Sequence, residues 1–99
     1  MSKIINFRVM RGTTLRQMFK WEDFGLVAGD VTCIAREEIT SNGVSAAAKF
    51  KCGISYEGLE VYLSNVESQR LRNYNRYAIA VQLNNGDVVP CLSGYVEIR

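Results

Sequence analysis

The sequence has no histidine, only one proline and no apolar run long enough to cross a bilayer. Histidine is the side chain most often used for general acid–base catalysis, and it is a common zinc ligand, so its absence argues against many hydrolytic and metal-dependent mechanisms. A membrane-spanning helix needs roughly 20 apolar residues. The N-terminal run is interrupted by Arg8 and Arg11 too early for a signal peptide. We therefore expect no enzymatic activity, no cofactor, no membrane segment and no export by a leader.

Cysteine is sparse and does not follow a metal-binding pattern. Cys33, Cys52 and Cys91 are an odd number at wide spacing, without a Cys-x-x-Cys motif. This pattern predicts buried, reduced thiols and no metal site. A Cys33–Cys52 disulfide is the alternative if the two strands that carry them are neighbours, but the absence of a secretory signal favours a reducing compartment.

The charges are nearly balanced, with 12 basic and 10 acidic residues and a formal net charge of +2. Such a balance does not by itself indicate a nucleic-acid or membrane partner. Glu37 and Glu38 are adjacent, and on a strand they point to opposite faces, so they do not predict a carboxylate dyad. The chain has 99 residues, of which 47% are hydrophobic. This length and composition predict a single globular domain over residues 1–99.

Apolar residues recur at every second position along most of the chain, which is the period of a half-buried strand. The predicted strands start at Ile5, Thr14, Val31, Ala46, Leu59, Tyr77, Val88 and Tyr95. Seven to eight short antiparallel strands, separated by turn residues, are typical of a β-sandwich or small barrel. The predicted core residues are Leu15, Phe19, Trp21, Cys33, Phe50, Leu59, Val61, Ile79, Val81 and Val96.

Three local signals refine this prediction. Asn85-Gly86 predicts a type I′ hairpin turn, because both residues tolerate a positive φ. Ser93-Gly94 predicts a break in the following strand, so that the chain ends in a β-meander. Residues 65–73 lack the strand period and predict a connector with one helical turn, capped by Asn65.

The candidate functional segment covers residues 69–77, QRLRNYNRY, where arginines alternate with tyrosines. Such a patch can bind phosphates and stack bases. It can also be a solvated loop whose last tyrosine, Tyr77, belongs to the core. Tyrosine and arginine are enriched at protein–protein contacts, which gives a third interpretation. Under that interpretation the predicted partner-binding residues are Arg70, Arg72, Tyr74 and Arg76.

Several motifs, taken in chain order, resemble those of the small immunoglobulin-like modules of tailed-phage and prophage virion proteins. In that family a strand leads to an Arg-Gly-Thr-type turn, an aromatic strand follows, and a Gly-Asp-Val hairpin precedes a closing Gly-x-Val-x-Ile run. The corresponding segments here are RGTTLRQMFKWED, DVTCIAREEI, GLEVYLSNVESQRL, RYAIAVQL and NNGDVVPCLSGYVEIR.

The resemblance implies an all-β, immunoglobulin-like β-sandwich. It further implies a non-enzymatic structural or adaptor protein, made in the bacterial cytoplasm and assembled into a virion, in the tail, baseplate, fibre attachment or head. The expected partners are other virion proteins or a second copy of the chain. The alternatives are a small nucleic-acid-binding β-barrel and a phage-encoded inhibitor of a host protein.

Overall fold

Nine strands and one short helix make up the computed structural model of the protein, which describes residues 2–46 and 48–99. The prediction of an all-β fold is confirmed. The strands are β1 (Lys3–Ile4), β2 (Phe7–Val9), β3 (Leu15–Lys20), β4 (Val31–Ser41), β5 (Val44–Ser45), β6 (Lys51–Ile54), β7 (Gly58–Leu63), β8 (Tyr74–Leu83) and β9 (Val88–Ile98). A 3-10 turn covers Trp21–Phe24 and the helix α1 covers Asn65–Arg70.

The strands form two sheets. The larger sheet has six strands in the order β1-β9-β8-β4-β5, with β2 also paired to β9. The smaller sheet has the order β3-β7-β6 and is antiparallel throughout. β1 and β2 run parallel to β9, so the prediction of an entirely antiparallel arrangement is wrong at the N-terminus. Parallel pairing joins residues distant in sequence, and no local pattern encodes it.

The two sheets share one core, filled by the inward positions of their strands. Leu59, Val61 and Leu63 of β7 are buried against Ile79 and Val81 of β8 and neighbouring residues in one cluster. Each inward set recurs with period two, as the sequence predicts. The predicted core residues all lie in this cluster or pack against it, with one exception, Cys33, which is exposed.

The error at Cys33 has a structural cause in β4. The pairing of β4 with β8 shifts register between Val31 and Cys33, and again between Ile34 and Arg36. Each shift is a β-bulge, which adds one residue to a strand and reverses the face of those that follow. Cys33 is therefore opposite Gln82, on the outer side of the sheet, while Ile34 is opposite the buried Val81.

The hairpin between β8 and β9 is where the sequence places it, but its turn is not type I′. Only Gly86 has a positive φ, +91°, whereas type I′ requires one at Asn85 as well. The Gly86 amide donates to the Leu83 carbonyl at 2.9 Å, and the Leu83 amide donates to the Asp87 carbonyl at 2.8 Å. This is the three-residue loop in which a glycine follows an ordinary turn.

Three other predicted boundaries are corrected. β9 is continuous through Ser93-Gly94, so the chain ends in two long strands and not in a meander. The helix is capped by Ser64, whose Oγ accepts the Glu67 amide at 3.1 Å, and not by Asn65. Residues 48–50 belong to no strand, although Ala48 and Phe50 are buried, because apolar alternation reports burial and does not require pairing. Ala47, predicted to lie on the opposite face of that segment, is outside the described residues.

Candidate protein-docking site

Tyr74, Arg76 and Tyr95 form a compact group, here called the tyrosine cluster, on the outer face of the six-stranded sheet. Arg76 on β8 is directly opposite Tyr95 on β9. Its guanidinium carbon lies 5.2 Å from the centre of the Tyr95 ring, and its Nη2 donates to the Tyr95 hydroxyl at 3.1 Å. Tyr74 is 70% exposed and Tyr95 47% exposed. The cluster therefore offers two accessible rings with a cation held against one of them.

The two tyrosines border a shallow depression on each side. One, of about 230 Å³, lies towards the β4–β5 turn and is lined in part by Thr40, Asn42 and Gly43. The other, of about 510 Å³, lies towards β2 and contains the ion pair in which Arg8 Nε is 3.1 Å from Glu97 Oε2. The rings thus stand as ridges between two concave regions, a shape into which a protein surface can fit.

Arg11 holds the connector that leads into the tyrosine cluster. Its Nη1 donates to the carbonyls of Leu71, at 2.8 Å, and Gln69, at 3.2 Å, and its Nη2 donates to Asn73 Oδ1 at 2.9 Å. These are charge-assisted bonds to the end of α1 and the residues after it, where helix carbonyls have no intrahelical donor. They fix the path of the chain into β8 and so hold Tyr74 in place.

Asn75 provides a second anchor beneath the cluster. It is buried, and its Nδ2 donates to the Arg72 carbonyl at 2.7 Å and to the Val96 carbonyl at 3.1 Å. Among the described residues its Oδ1 has no hydrogen-bond partner. A buried amide that bridges the connector to β9 resists movement of the backbone between Tyr74 and Arg76.

The structure divides the four residues predicted to bind a partner. Tyr74 and Arg76 belong to the tyrosine cluster. Arg70 and Arg72 instead line a different depression, of about 220 Å³, with residues of the β4–β5 hairpin, and Arg70 lies 3.8 Å from Glu67. Asn75 lines both depressions, so Arg70 and Arg72 lie beside the tyrosine cluster without belonging to it.

Two important residues of this site were missed by sequence reasoning. The sequence pattern places Tyr95 only in a closing strand and Arg11 only in a turn. In β9, Tyr95 lies on the other face of the strand from the buried Val96 and Ile98, and this alternation signals an exposed aromatic residue. Nothing in the local sequence signals that Arg11 contacts residues 69–73.

The ionisable groups inside the protein are poor nucleophiles. The pKa of the Cys52 thiol is raised, mainly by burial. The negative charge of Glu37 and its hydrogen bond with the thiol raise this pKa further. Burial, followed by the influence of Cys52, raises the pKa of Tyr77, whose hydroxyl donates to the Ile5 carbonyl at 2.6 Å. Burial raises the pKa of Cys91 to about 11. At neutral pH both thiols stay protonated, which is the unreactive form.

Within residues 2–46 and 48–99, no group of three or more cysteine, aspartate or glutamate side chains is arranged to hold a metal ion. No helix of the described chain is long and apolar enough to cross a membrane. Comparison with protein-family models, curated proteins and solved structures found no match.

Proposed function

We propose that this protein is a non-enzymatic protein-binding module that docks to its partner through the tyrosine cluster. The observation that carries the proposal is the pair of exposed rings, Tyr74 and Tyr95, held on a rigid sheet with Arg76 against one of them. Tyrosine and arginine are over-represented among the residues that dominate binding energy. The Tyr95 ring, which Arg76 already holds in place, loses little conformational entropy on binding.

The wider assignment is a structural or adaptor protein of a phage or prophage virion with an immunoglobulin-like fold. The order of the strands supports the fold. The smaller sheet, β3-β7-β6, matches the B-E-D order of immunoglobulin domains, and the neighbours β9-β8-β4 match G-F-C. The virion assignment itself comes from the resemblance of the motifs described above. The formal net charge of only +2 gives the nucleic-acid alternative less support.

The test is the binding of purified virion proteins to variants of the cluster. We expect Tyr74→Ala to weaken binding by about 2 kcal/mol, roughly thirtyfold, without changing the stability of the domain. Tyr56→Ala is the matched control, because Tyr56 is 78% exposed and lies in the turn between β6 and β7 of the other sheet. Sedimentation velocity with tail, baseplate and head proteins measures the effect. The proposal fails if Tyr74→Ala unfolds the domain or binds as well as Tyr56→Ala.

A further inference from the structure

The outer face of the six-stranded sheet has an unusual composition around its centre. Ala78 and Ala80 of β8 lie there, next to Ser93 and Pro90 of β9. Ala80 is buried but is not part of the core between the sheets. Small residues in adjacent strands make a flat floor, over which another backbone can approach closely.

The outer face of the smaller sheet differs, because it carries three basic side chains, Arg16, Lys20 and Lys51, and one acidic side chain, Glu60. Arg16 Nη1 is 3.7 Å from Glu60 Oε1, and the Arg16 guanidinium carbon lies 4.7 Å from the centre of the Tyr62 ring. Such a face is well suited to solvent. The larger sheet therefore carries the better candidate for an interface.

Two charged residues on the outer face of β4 have no partner within the described chain. Arg36 is opposite Ala80, and Glu38 is opposite Ala78. Both are exposed, and neither forms an ion pair among the described residues. They point to the same side of the sheet, one step of the pleat apart, with opposite charges.

We propose that this outer face binds the same face of a second copy. The two copies are related by a twofold axis that runs across the strands and crosses β4 between Arg36 and Glu38. The proposal rests on the proposed function and names the partner as a second copy of this chain. An axis at that level brings Arg36 of each copy to Glu38 of the other. The interface then contains two reciprocal ion pairs, as a twofold contact requires.

The same axis gives compatible neighbours on the other strands. The registers with β8 and β9 place Ala78 over Ala80 of the second copy, and Ser93 over Pro90. One step further out, the Tyr95 ring meets Val88 of the second copy, which is 60% exposed. Aromatic and aliphatic surface exposed in the monomer is thereby covered.

An axis moved by one residue along β4 gives a worse contact. If the axis passes through Glu38, the Glu38 side chains of the two copies face each other. Arg36 then no longer faces Glu38 of the second copy. Like charges directly opposite one another are destabilising. The charge pattern therefore selects one register out of those that the flat floor allows.

The size of the face suits a weak dimer. β4, β8 and β9 have 11, 10 and 11 residues and extend about 33–36 Å, and at about 4.8 Å per strand they cover a width of about 14 Å. The resulting footprint of about 500 Å² is smaller than the roughly 800 Å² that each partner contributes to a standard interface, so we expect reversible dimerisation at high protein concentration.

The decisive experiment exchanges the two charges and measures the dimerisation constant of the full chain by sedimentation equilibrium. We expect Glu38→Arg to weaken dimerisation at least tenfold, because two arginines then face each other across each contact. The double variant Arg36→Glu/Glu38→Arg restores the reciprocal pairs, and we expect its dimerisation constant to return to within a few-fold of the wild type. Glu57→Arg, which makes the same change in net charge on the turn between β6 and β7, is the control.

Three outcomes overturn the proposal: a wild type that stays monomeric at millimolar concentration, Glu38→Arg that dimerises as well as Glu57→Arg, and a double variant that does not recover. Far-UV circular dichroism verifies that each variant is folded. A monomeric wild type leaves the proposed function open, because Tyr74→Ala can still abolish binding to a different virion protein. Loss of self-association in both Glu38→Arg and Tyr74→Ala supports both proposals together.

Discussion

Gly94 is a position where a single methyl group is expected to damage the architecture, because both its backbone conformation and its surroundings exclude a side chain. Its φ is +147°, a conformation that side chains rarely adopt, and it lies where the segment between β1 and β2 crosses β9. A Cβ built on Gly94 would be 2.4 Å from the Ile5 carbonyl oxygen and 2.8 Å from Asn6 Oδ1. The neighbouring backbone cannot remain in place around an alanine.

The cost of Gly94→Ala can be estimated from what would have to move. The strained φ costs about 1–2 kcal/mol. The Ile5 amide donates to the Ser93 carbonyl at 2.9 Å, and the Tyr95 amide donates to Asn6 Oδ1 at 3.0 Å. Losing both bonds adds about 1 kcal/mol each. We expect a total loss of about 3–4 kcal/mol in the free energy of unfolding.

Urea denaturation followed by the fluorescence of Trp21, the only tryptophan, measures this loss. Trp21 is buried, so its emission reports the unfolding of the core. A loss of this size lowers the urea midpoint by roughly 1–4 M. Gly43→Ala is the matched control, since Gly43 has a positive φ of +77° but no atom within 4 Å of the added Cβ. Gly43→Ala should lose about 1 kcal/mol of the free energy of unfolding, from the strained φ alone. A Gly94→Ala midpoint no lower than that of Gly43→Ala would refute the reasoning.

Three further predictions concern the hairpin turn and the thiols. Gly86→Val should cost about 1–2 kcal/mol through the positive φ alone, because nothing lies within 4 Å of the added Cβ, and an unchanged urea midpoint would contradict it. Iodoacetamide followed by mass spectrometry should label the exposed Cys33 in the native protein, and Cys91 only after denaturation. Because the pKa of Cys91 rises from 9.0 to about 11 on folding, its contribution to stability is complete below pH 9 and falls between pH 9 and 11. Cys91→Ala should therefore reduce the alkaline loss of unfolding free energy, and an equal loss in both proteins would count against the burial of this thiol.

The sequence predicts the middle of the fold better than its borders. β7 and the first half of β8 follow the alternation closely, because each has one side on the core and the other side more exposed, and period two is a direct consequence of that environment. The end of the chain was less predictable. Ser93-Gly94 signals a break in isolation, yet β9 runs through it because β1 and β8 pair with both sides of the strand.

The candidate site was only partly predictable for a similar reason. Tyr74 and Arg76 stand out in the sequence because they lie in an arginine- and tyrosine-rich segment. The third member of the tyrosine cluster, Tyr95, lies beside them because β8 pairs with β9. The hairpin signal predicts that these strands pair, but it does not predict their register. A bulge between Ile79 and Ala80 shifts that register by one residue. Without the bulge, Arg76 would not be opposite Tyr95.

The proposed dimer surface depends on bulges to an even greater extent. Unbroken alternation along β4 would place Ile34 on the same side as Arg36 and Glu38, and would leave an exposed aliphatic residue beside the charges. The extra residue, Ala35, returns Ile34 to the core opposite Val81, while Arg36 stays opposite Ala80 on the outer face. The bulge thus serves two purposes with one residue: it buries Ile34, and it leaves the two opposite charges as the outward side chains of this part of β4. Since bulges also bend a strand and increase its twist, they set how closely β4 can approach a second copy. The register of the proposed contact is therefore a property of the sheet as a whole, although only Arg36 and Glu38 carry its charge.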